Sequence, residues 1–148
     1  MQFLAAQPIM EYIMKIGFTC SAFDLLHPGH LVMLEECKNN CDYLVVGLHT
    51  DPTIDRPDTK QRPIQSTFER WVQLDSCRWV DKIIPYDTER DLQNLLATLH
   101  IDVRFLGDEY RGKIFTGGEI CQHRGIELFY NAPRLHNFSS TEMRNRLK

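Results

Sequence analysis

Apolar residues are arranged along the chain in two alternating patterns, short continuous runs and longer stretches with helical spacing. The run DYLVVGLHT, residues 42–50, is almost wholly apolar, which is typical of a strand buried on both faces of a sheet. The stretch GHLVMLEECKNN instead places Leu31, Leu34 and Cys37 on one face of a helix. These patterns predict strands over residues 12–19, 42–50, 81–86, 102–108 and 126–131, and helices over residues 29–40, 66–80, 88–100, 118–125 and 139–147.

The alternation of strands and helices predicts the fold class. Strands separated by helices pair in parallel, so we expect an α/β protein with a Rossmann-like parallel sheet of about five strands flanked by helices. The length of 148 residues fits one domain, preceded by an N-terminal extension over residues 1–12. Ligands of such sheets bind beyond the carboxyl ends of the strands. The loops to inspect are therefore residues 20–30, 50–65, 107–118 and 131–140.

Composition and charge exclude several classes of protein. Hydrophobic residues make up 43% of the chain and charged residues 25%, which indicates a soluble globular protein. The net charge of −3 argues against a nucleic-acid partner. No apolar run approaches the roughly 20 residues that span a bilayer, and no basic n-region opens a signal peptide. The five cysteines are odd in number and form no C-x-x-C, which predicts free thiols and a cytoplasmic protein.

The stretch FDLLHPGH, residues 23–30, contains two histidines, His27 and His30, at the start of the first predicted helix. Pro28 suits the first helical turn, and Gly29 lets a ligand approach the backbone. The free N–H groups and the dipole of the helix favour an anion at this end. Two imidazoles beside that position can donate hydrogen bonds to phosphate oxygens and stabilise charge on a phosphoryl group in transit.

Other roles for this histidine pair stay open at this point. The two rings could be structural or simply exposed. A metal pair is a further alternative, but no suitable Cys, Asp or Glu ligand set lies nearby, so we predict no metal site. Asp24, three residues before His27, could orient an imidazole or cap the turn.

The stretch FDLLHPGH resembles the H-x-G-H signature of the nucleotidyltransferase superfamily that includes the cytidylyltransferases. Four further segments, CDYLVVGLHTD, CRWVDKIIP, FLGDEYRGK and RLHNFSST, resemble family segments in the same order. The last three correspond to the family's R-Y-V-D-E-V-I-P, M-G-D-D-W-E-G-K and R-T-E-G-I-S-T-T. The resemblance is strongest to glycerol-3-phosphate cytidylyltransferase and spans about residues 13–147.

The resemblance implies a set of site residues. In the family the two histidines contact the nucleotide phosphates and the transition state, while basic side chains hold the triphosphate and the acceptor phosphate. The implied catalytic residues are His27, His30, Lys60 and Arg78. The implied nucleotide-binding residues are Ala22, Phe23, Asp24, Gly29, Asp108, Arg134, Ser139 and Ser140.

The resemblance also implies an activity. It is the transfer of CMP from CTP to a phosphorylated alcohol with release of pyrophosphate, with glycerol 3-phosphate as the favoured acceptor and CDP-glycerol as the product. Mg²⁺ would accompany CTP, and the protein would form a homodimer without nucleic-acid or membrane partners. This chain departs from the family at Ser21, Ala22, Leu92 and residues 135–137. An ATP-using adenylyltransferase of the ADP-heptose or FAD synthesis type, and a non-catalytic nucleotide-binding module, therefore remain as alternatives.

Overall fold

A computed structural model of the chain describes residues 12–148. The predicted N-terminal extension over residues 1–12 lies outside the described residues except for Tyr12. The strands are β1 (Ile16–Ser21), β2 (Tyr43–His49), β3 (Lys82–Tyr86), β4 (Val103–Leu106) and β5 (Glu127–Tyr130). The helices are α1 (Pro28–Asn39), α2 (Thr67–Asp75), α3 (Glu89–Thr98), α4 (Gly118–Arg124) and α5 (Ser140–Arg146), and a 3₁₀ turn covers Asp108–Tyr110.

The five strands form one parallel sheet in the order β3-β2-β1-β4-β5. This confirms the prediction of a Rossmann-like α/β fold. β1 lies at the centre, pairing Ile16 with Tyr43 of β2 on one side and Gly17 with Val103 of β4 on the other. The strand order reverses between β1 and β4, so the loops that follow these two strands diverge. Such a reversal opens a crevice at the carboxyl ends of the strands.

Two apolar clusters cover the two faces of the sheet. One lies under α1 and α2 and includes Leu34, Cys37 and Leu74, and the other lies under α3 and α4 and includes Leu96 and Cys121. Each such side chain contributes about 1.5–3 kcal/mol when it leaves water. As predicted, all five cysteines are free. Burial raises the pKa of the Cys37 thiol to about 12, which makes this residue a packing group.

Two element boundaries differ from the prediction by four residues or more, and for local reasons. β1 begins at Ile16, four residues later than predicted, because the backbone N–H of Lys15 donates to the Asp42 carboxylate at 2.7 Å. α2 ends at Asp75, five residues earlier than predicted, since the chain turns there. The N–H of Cys77 bonds the carbonyl of Leu74 at 3.0 Å in that turn.

Within residues 12–148, no helix combines the length and the apolar character that crossing a bilayer requires.

Candidate phosphate-binding site

The loop between β1 and α1 carries the FDLLHPGH stretch in a strained conformation. Phe23 and Leu25 have φ values of 50° and 52°, in the left-handed region that side chains other than glycine rarely adopt. Each such residue costs about 1 kcal/mol or more and persists only where its surroundings enforce it. Gln65 supplies one constraint, since its Oε1 accepts from the N–H of Leu25 at 2.8 Å.

The Asp24 carboxylate supplies the other constraint. It accepts hydrogen bonds from the N–H groups of Ile64 at 2.8 Å and Gln65 at 2.9 Å, and it pairs with Arg144 at 2.6 Å. Asp24 is 5% exposed, and its carboxylate holds the loop through these bonds, none of which goes to an imidazole. Phe23 is 1% exposed and packs in the core, which leaves only its backbone for a ligand. Both residues line the cavity, and their predicted place among the nucleotide-binding residues stays a prediction.

His27 and His30 lie at the N-terminus of α1, as the sequence predicts. His27 is the N-cap, and its Nδ1 accepts from the N–H of Gly29 at 3.0 Å. The Nδ1 of His30 accepts from the N–H of His27 at 3.4 Å, and the two rings stack with centroids 3.9 Å apart. Because both Nδ1 atoms accept, each neutral ring carries its proton on Nε2. Both histidines therefore present an Nε2–H donor to a ligand.

Burial and nearby positive charge keep both imidazoles neutral. Burial lowers the pKa of His30 to about 3, and His27 and Arg134 act in the same direction while Asp24 opposes them. Burial also lowers the pKa of His27, with further contributions from Arg134 and His136. At pH 7 the pair consists of neutral donors beside the cationic Arg134.

The segment after β5 brings Arg134 to the histidine pair. The Glu36 carboxylate of α1 accepts from the side chain of Asn131 at 2.8 Å and from the N–H of Ala132 at 3.0 Å. This fixes the start of the segment, so that Arg134 and His136 lie beside α1. Glu36 was missed in the sequence because its partners are 95 and 96 positions away.

The two serines that precede and open α5 have different roles. The Ser140 hydroxyl donates to the carbonyl of Asp24 at 2.8 Å and lines the cavity at the carboxyl ends of the strands. The Ser139 hydroxyl accepts from the N–H of Glu142 at 3.0 Å, which makes Ser139 the helix cap. Ser139 does not line the cavity, and because capping does not exclude a ligand contact its predicted nucleotide binding stays a prediction.

The four loops chosen from the sequence surround one cavity of about 1320 Å³. It has room for a nucleotide and a second substrate, since ligand pockets commonly hold about 300–1,000 Å³. The predicted site residues that line this cavity are Ala22, Phe23, Asp24, His27, Gly29, His30, Lys60, Asp108, Arg134 and Ser140.

Arg78 lies elsewhere. It lies in the connection between the end of α2 and the start of β3. Three residues later, the N–H of Asp81 bonds the carbonyl of Leu44 near the start of β2. That position is at the amino ends of the strands, the edge opposite the cavity, and the guanidinium packs over Trp79 at 4.7 Å. Arg78 thus does not line the cavity that His27 and His30 line, and its contact with the nucleotide phosphates stays a prediction.

The long loop after β2 brings positive charge to the rim of the cavity. Lys60 is exposed there, and Arg56 pairs with Glu89 of α3 at 2.7 Å. Arg62 does not line the cavity, and its guanidinium lies 3.7 Å from Asp51.

Arg70 is a positioning residue that the sequence did not reveal. It is 1% exposed, and its guanidinium donates to the carbonyls of Ala22 at 2.8 Å, His49 at 2.7 Å and Thr50 at 2.6 Å. These bonds tie α2 to the carboxyl ends of β1 and β2. The one available signal was the helical spacing of Arg70 with Leu74, which places both on the buried face.

Among residues 12–148, no three His, Cys, Asp or Glu side chains come together to hold a metal ion. A cation held mainly by ligand oxygens and water needs no such group, so the absence of a metal site stays a prediction.

The fold is that of the nucleotidyltransferase superfamily. Within it the chain belongs to the cytidylyltransferase-like family, whose model matches residues 18–146.

The chain is similar to curated proteins named Bifunctional protein HldE. It is 38% identical over 115 residues to the one from Hyphomonas neptunium, covering 78% of this chain and 24% of that protein. It is 38% identical over 111 residues to the one from Paramagnetospirillum magneticum, covering 75% of this chain and 22% of that protein. The chain thus spans about a quarter of the length of these relatives.

A solved structure shows the same fold. It is the lipopolysaccharide core biosynthesis protein from Thermoplasma volcanium GSS1, which aligns with a TM-score of 0.66 and 23% sequence identity. The alignment covers 82% of this chain and 98% of that one.

Proposed function

We propose that the protein catalyses nucleotidyl transfer to a phosphorylated acceptor. A phosphate oxygen of the acceptor attacks the α-phosphorus of a nucleoside triphosphate in line. A new P–O bond forms as the bond to the bridging oxygen of the leaving pyrophosphate breaks. The attacking phosphate is already ionised at pH 7, so the step needs no general base and no covalent intermediate, unlike transfer through an activated Ser or Cys. Catalysis is then positioning and charge neutralisation.

The stacked histidine pair is the observation that carries this proposal. His27 and His30 are neutral at pH 7, and each presents an Nε2–H at a helix N-terminus where backbone N–H groups also favour anions. Arg134 and Lys60 would hold the triphosphate and the acceptor phosphate from the two loops that face the pair. A non-catalytic module would be expected to lose parts of such a set, whereas His27, His30, Lys60 and Arg134 are all present at the cavity.

ATP is the nucleotide that we favour. The similarity to the HldE proteins supports the adenylyltransferase alternative, of the ADP-heptose type, over CTP and glycerol 3-phosphate. Residues 135–137 also depart from the cytidylyltransferase motif. The acceptor would then be a sugar phosphate or a related phosphorylated alcohol, and Mg²⁺ would arrive with ATP as the substrate complex.

A cytidylyltransferase acting on a phosphorylated alcohol is the second candidate. The GDEYRGK segment favours it, since this stretch resembles the corresponding cytidylyltransferase loop and places Asp108 at the cavity. Association into a homodimer, which the resemblance implies, also stays a prediction, and sedimentation equilibrium would test it.

Pyrophosphate release with ATP and CTP in parallel tests the function. Each nucleotide is supplied with Mg²⁺ and a panel of sugar 1-phosphates and glycerol 3-phosphate, and the product is identified by mass spectrometry. Turnover that is at least about tenfold faster with ATP supports the adenylyltransferase, and the reverse preference supports the second candidate. An absence of turnover with both nucleotides across the panel, in protein that binds ATP, would overturn nucleotidyl transfer.

A further inference from the structure

Arg104 of β4 is a buried arginine on the side of the cavity away from the histidine pair. Its neighbour Phe105 packs in the apolar cluster under α1 and α2, so Arg104 points to the opposite face of the sheet. There it is 4% exposed and lies beside Cys121 of α4 and the Phe115 ring. Arg104 lines the same cavity as the histidines, but from the face that carries α3 and α4.

The Cys20 thiol is a polar neighbour of the Arg104 guanidinium, and one edge of the guanidinium has no oxygen or nitrogen partner within residues 12–148. Nη1 donates to the carbonyl of Thr116 at 2.6 Å and approaches the Cys121 sulfur at 3.9 Å. No oxygen or nitrogen acceptor in residues 12–148 bonds to Nε or Nη2, and Arg104 is one of the residues that line the cavity. Nε–H and Nη2–H form the side-on fork that matches the two oxygens of a carboxylate or phosphate.

Arg104 also has no counter-ion in the part of the chain that the structure describes, since none of the ion pairs there includes it. Glu89 of α3, which also lines the cavity, is bonded to Arg56. Buried charges are normally paired, because an unpaired one loses its hydration without compensation. A buried cation that is unpaired and open to a cavity is therefore suited to an anionic ligand.

The position of Arg104 would place a bound anionic group away from the phosphate that reacts beside the histidine pair. Arg104 pairs with Phe18 of β1, three residues before Ser21 at the end of that strand. At about 3.3 Å per residue its backbone starts about 10 Å below the rim where the histidines lie. Tyr86 and Cys20 adjoin the guanidinium, and burial raises the pKa of Tyr86, which keeps its hydroxyl a neutral donor.

We propose that Arg104 binds, through Nε–H and Nη2–H, a second anionic group of the acceptor, a carboxylate or phosphate distal to the attacking phosphate. The proposal rests on nucleotidyl transfer as the function of this cavity. It narrows the substrate class from any phosphorylated alcohol to phosphorylated acids and bisphosphates.

A matched pair of acceptors tests the proposal. Glycerol 3-phosphate and 3-phosphoglycerate differ by a carboxylate in place of a hydroxymethyl group, and both are assayed with whichever of ATP and CTP the enzyme uses. We expect kcat/KM to be about 10- to 100-fold higher for 3-phosphoglycerate, as two charge-assisted hydrogen bonds allow. Arg104→Met should abolish this preference and leave the KM for the nucleotide unchanged. Arg90→Met, at an exposed arginine of α3, is the matched control and should keep the preference.

Equal use of the two acceptors by the wild type, or an equal loss for both in Arg104→Met, would overturn the proposal. Should Arg104→Met fail to fold, Arg104→Lys decides by the same ratio, because lysine keeps the charge but lacks the fork.

Thermal unfolding detects binding of the acceptor without turnover, so it tests the anion site separately from the proposed function. If no nucleotide is turned over, 3-phosphoglycerate should still raise the Tm of the wild type and of Arg90→Met. No increase in the wild type, or an equal increase in Arg104→Met, would count against the anion site.

Discussion

Asp24 and Arg144 form a largely buried ion pair at 2.6 Å, although 120 positions separate them in the sequence. The same carboxylate accepts hydrogen bonds from the N–H groups of Ile64 and Gln65. One side chain thus joins the loop after β1, the long loop before α2 and the C-terminal helix. These three segments surround the histidine pair, so the ion pair holds the phosphate-binding end of the cavity together.

Removal of the Asp24 carboxylate should destabilise the folded protein strongly. Asp24→Ala leaves Arg144 and two backbone donors without their acceptor, and we expect the free energy of unfolding to fall by about 3–5 kcal/mol. Urea denaturation measures this. Glu142→Ala is the control, because it breaks an exposed ion pair with Arg146 at 3.4 Å, and it should cost less than about 1 kcal/mol. A similar small loss for Asp24→Ala would contradict the structural role of the pair.

His30→Ala tests the histidine pair directly. It removes one Nε2–H donor from the phosphate site, and we expect kcat to fall on the order of 10²–10³. Steady-state pyrophosphate release measures the rate, and circular dichroism checks that the variant is folded. His123→Ala, at an exposed histidine of α4, should retain wild-type turnover. Near-wild-type turnover in folded His30→Ala would remove the basis of the proposed function.

The low pKa of His30 predicts a dependence of stability on pH. An unfolded histidine ionises near 6.5, whereas burial lowers the pKa of folded His30 to about 3. Between these values the unfolded chain binds more protons, so folded-state stability is complete above about pH 6.5 and falls as the pH drops. The resulting decrease in the free energy of unfolding due to His30 approaches about 1.4 kcal/mol per pH unit.

His30→Gln isolates that contribution. Between pH 7 and pH 5 the wild type without ligand should lose about 2 kcal/mol more than His30→Gln, since the other titrating groups are shared. Urea unfolding at the two pH values measures both losses. Equal losses would show that His30 takes up a proton in the folded state in this range.

The order and type of the elements could be predicted from the sequence because apolar periodicity is a local signal. The start of α1 and the place of the histidine pair there could be predicted for the same reason, since Pro28 and Gly29 define a helix start on their own. The positioning contacts could not be predicted from the sequence, because Glu36 and Asp24 bond to partners about 95 and 120 positions away. The position of Arg78 away from the cavity could not be predicted for a related reason. A motif gives the order of residues along the chain, but not the edge of the sheet on which each residue lies.

Gly29 provides a test of how closely the site is packed. A Cβ at this position would lie 2.8 Å from Cε1 and 2.9 Å from Nδ1 of His27, and 3.0 Å from the carbonyl oxygen of Phe138. These contacts are too short, so Gly29→Ala must displace the imidazole and the segment that carries Arg134. We expect kcat/KM for the nucleotide to fall by about 10²-fold, as a displacement near 1 Å can cause.

The stability of Gly29→Ala should change much less than its activity. Alanine favours a helix over glycine by about 1 kcal/mol, which offsets part of the steric cost. Glu35→Ala, at an exposed position of the same helix, is the control and should leave kcat/KM unchanged. Activity and thermal unfolding are measured together on both variants. If Gly29→Ala retained full kcat/KM, the His27 ring would have room to move, and its fixed Nε2–H donor could not account for phosphate binding.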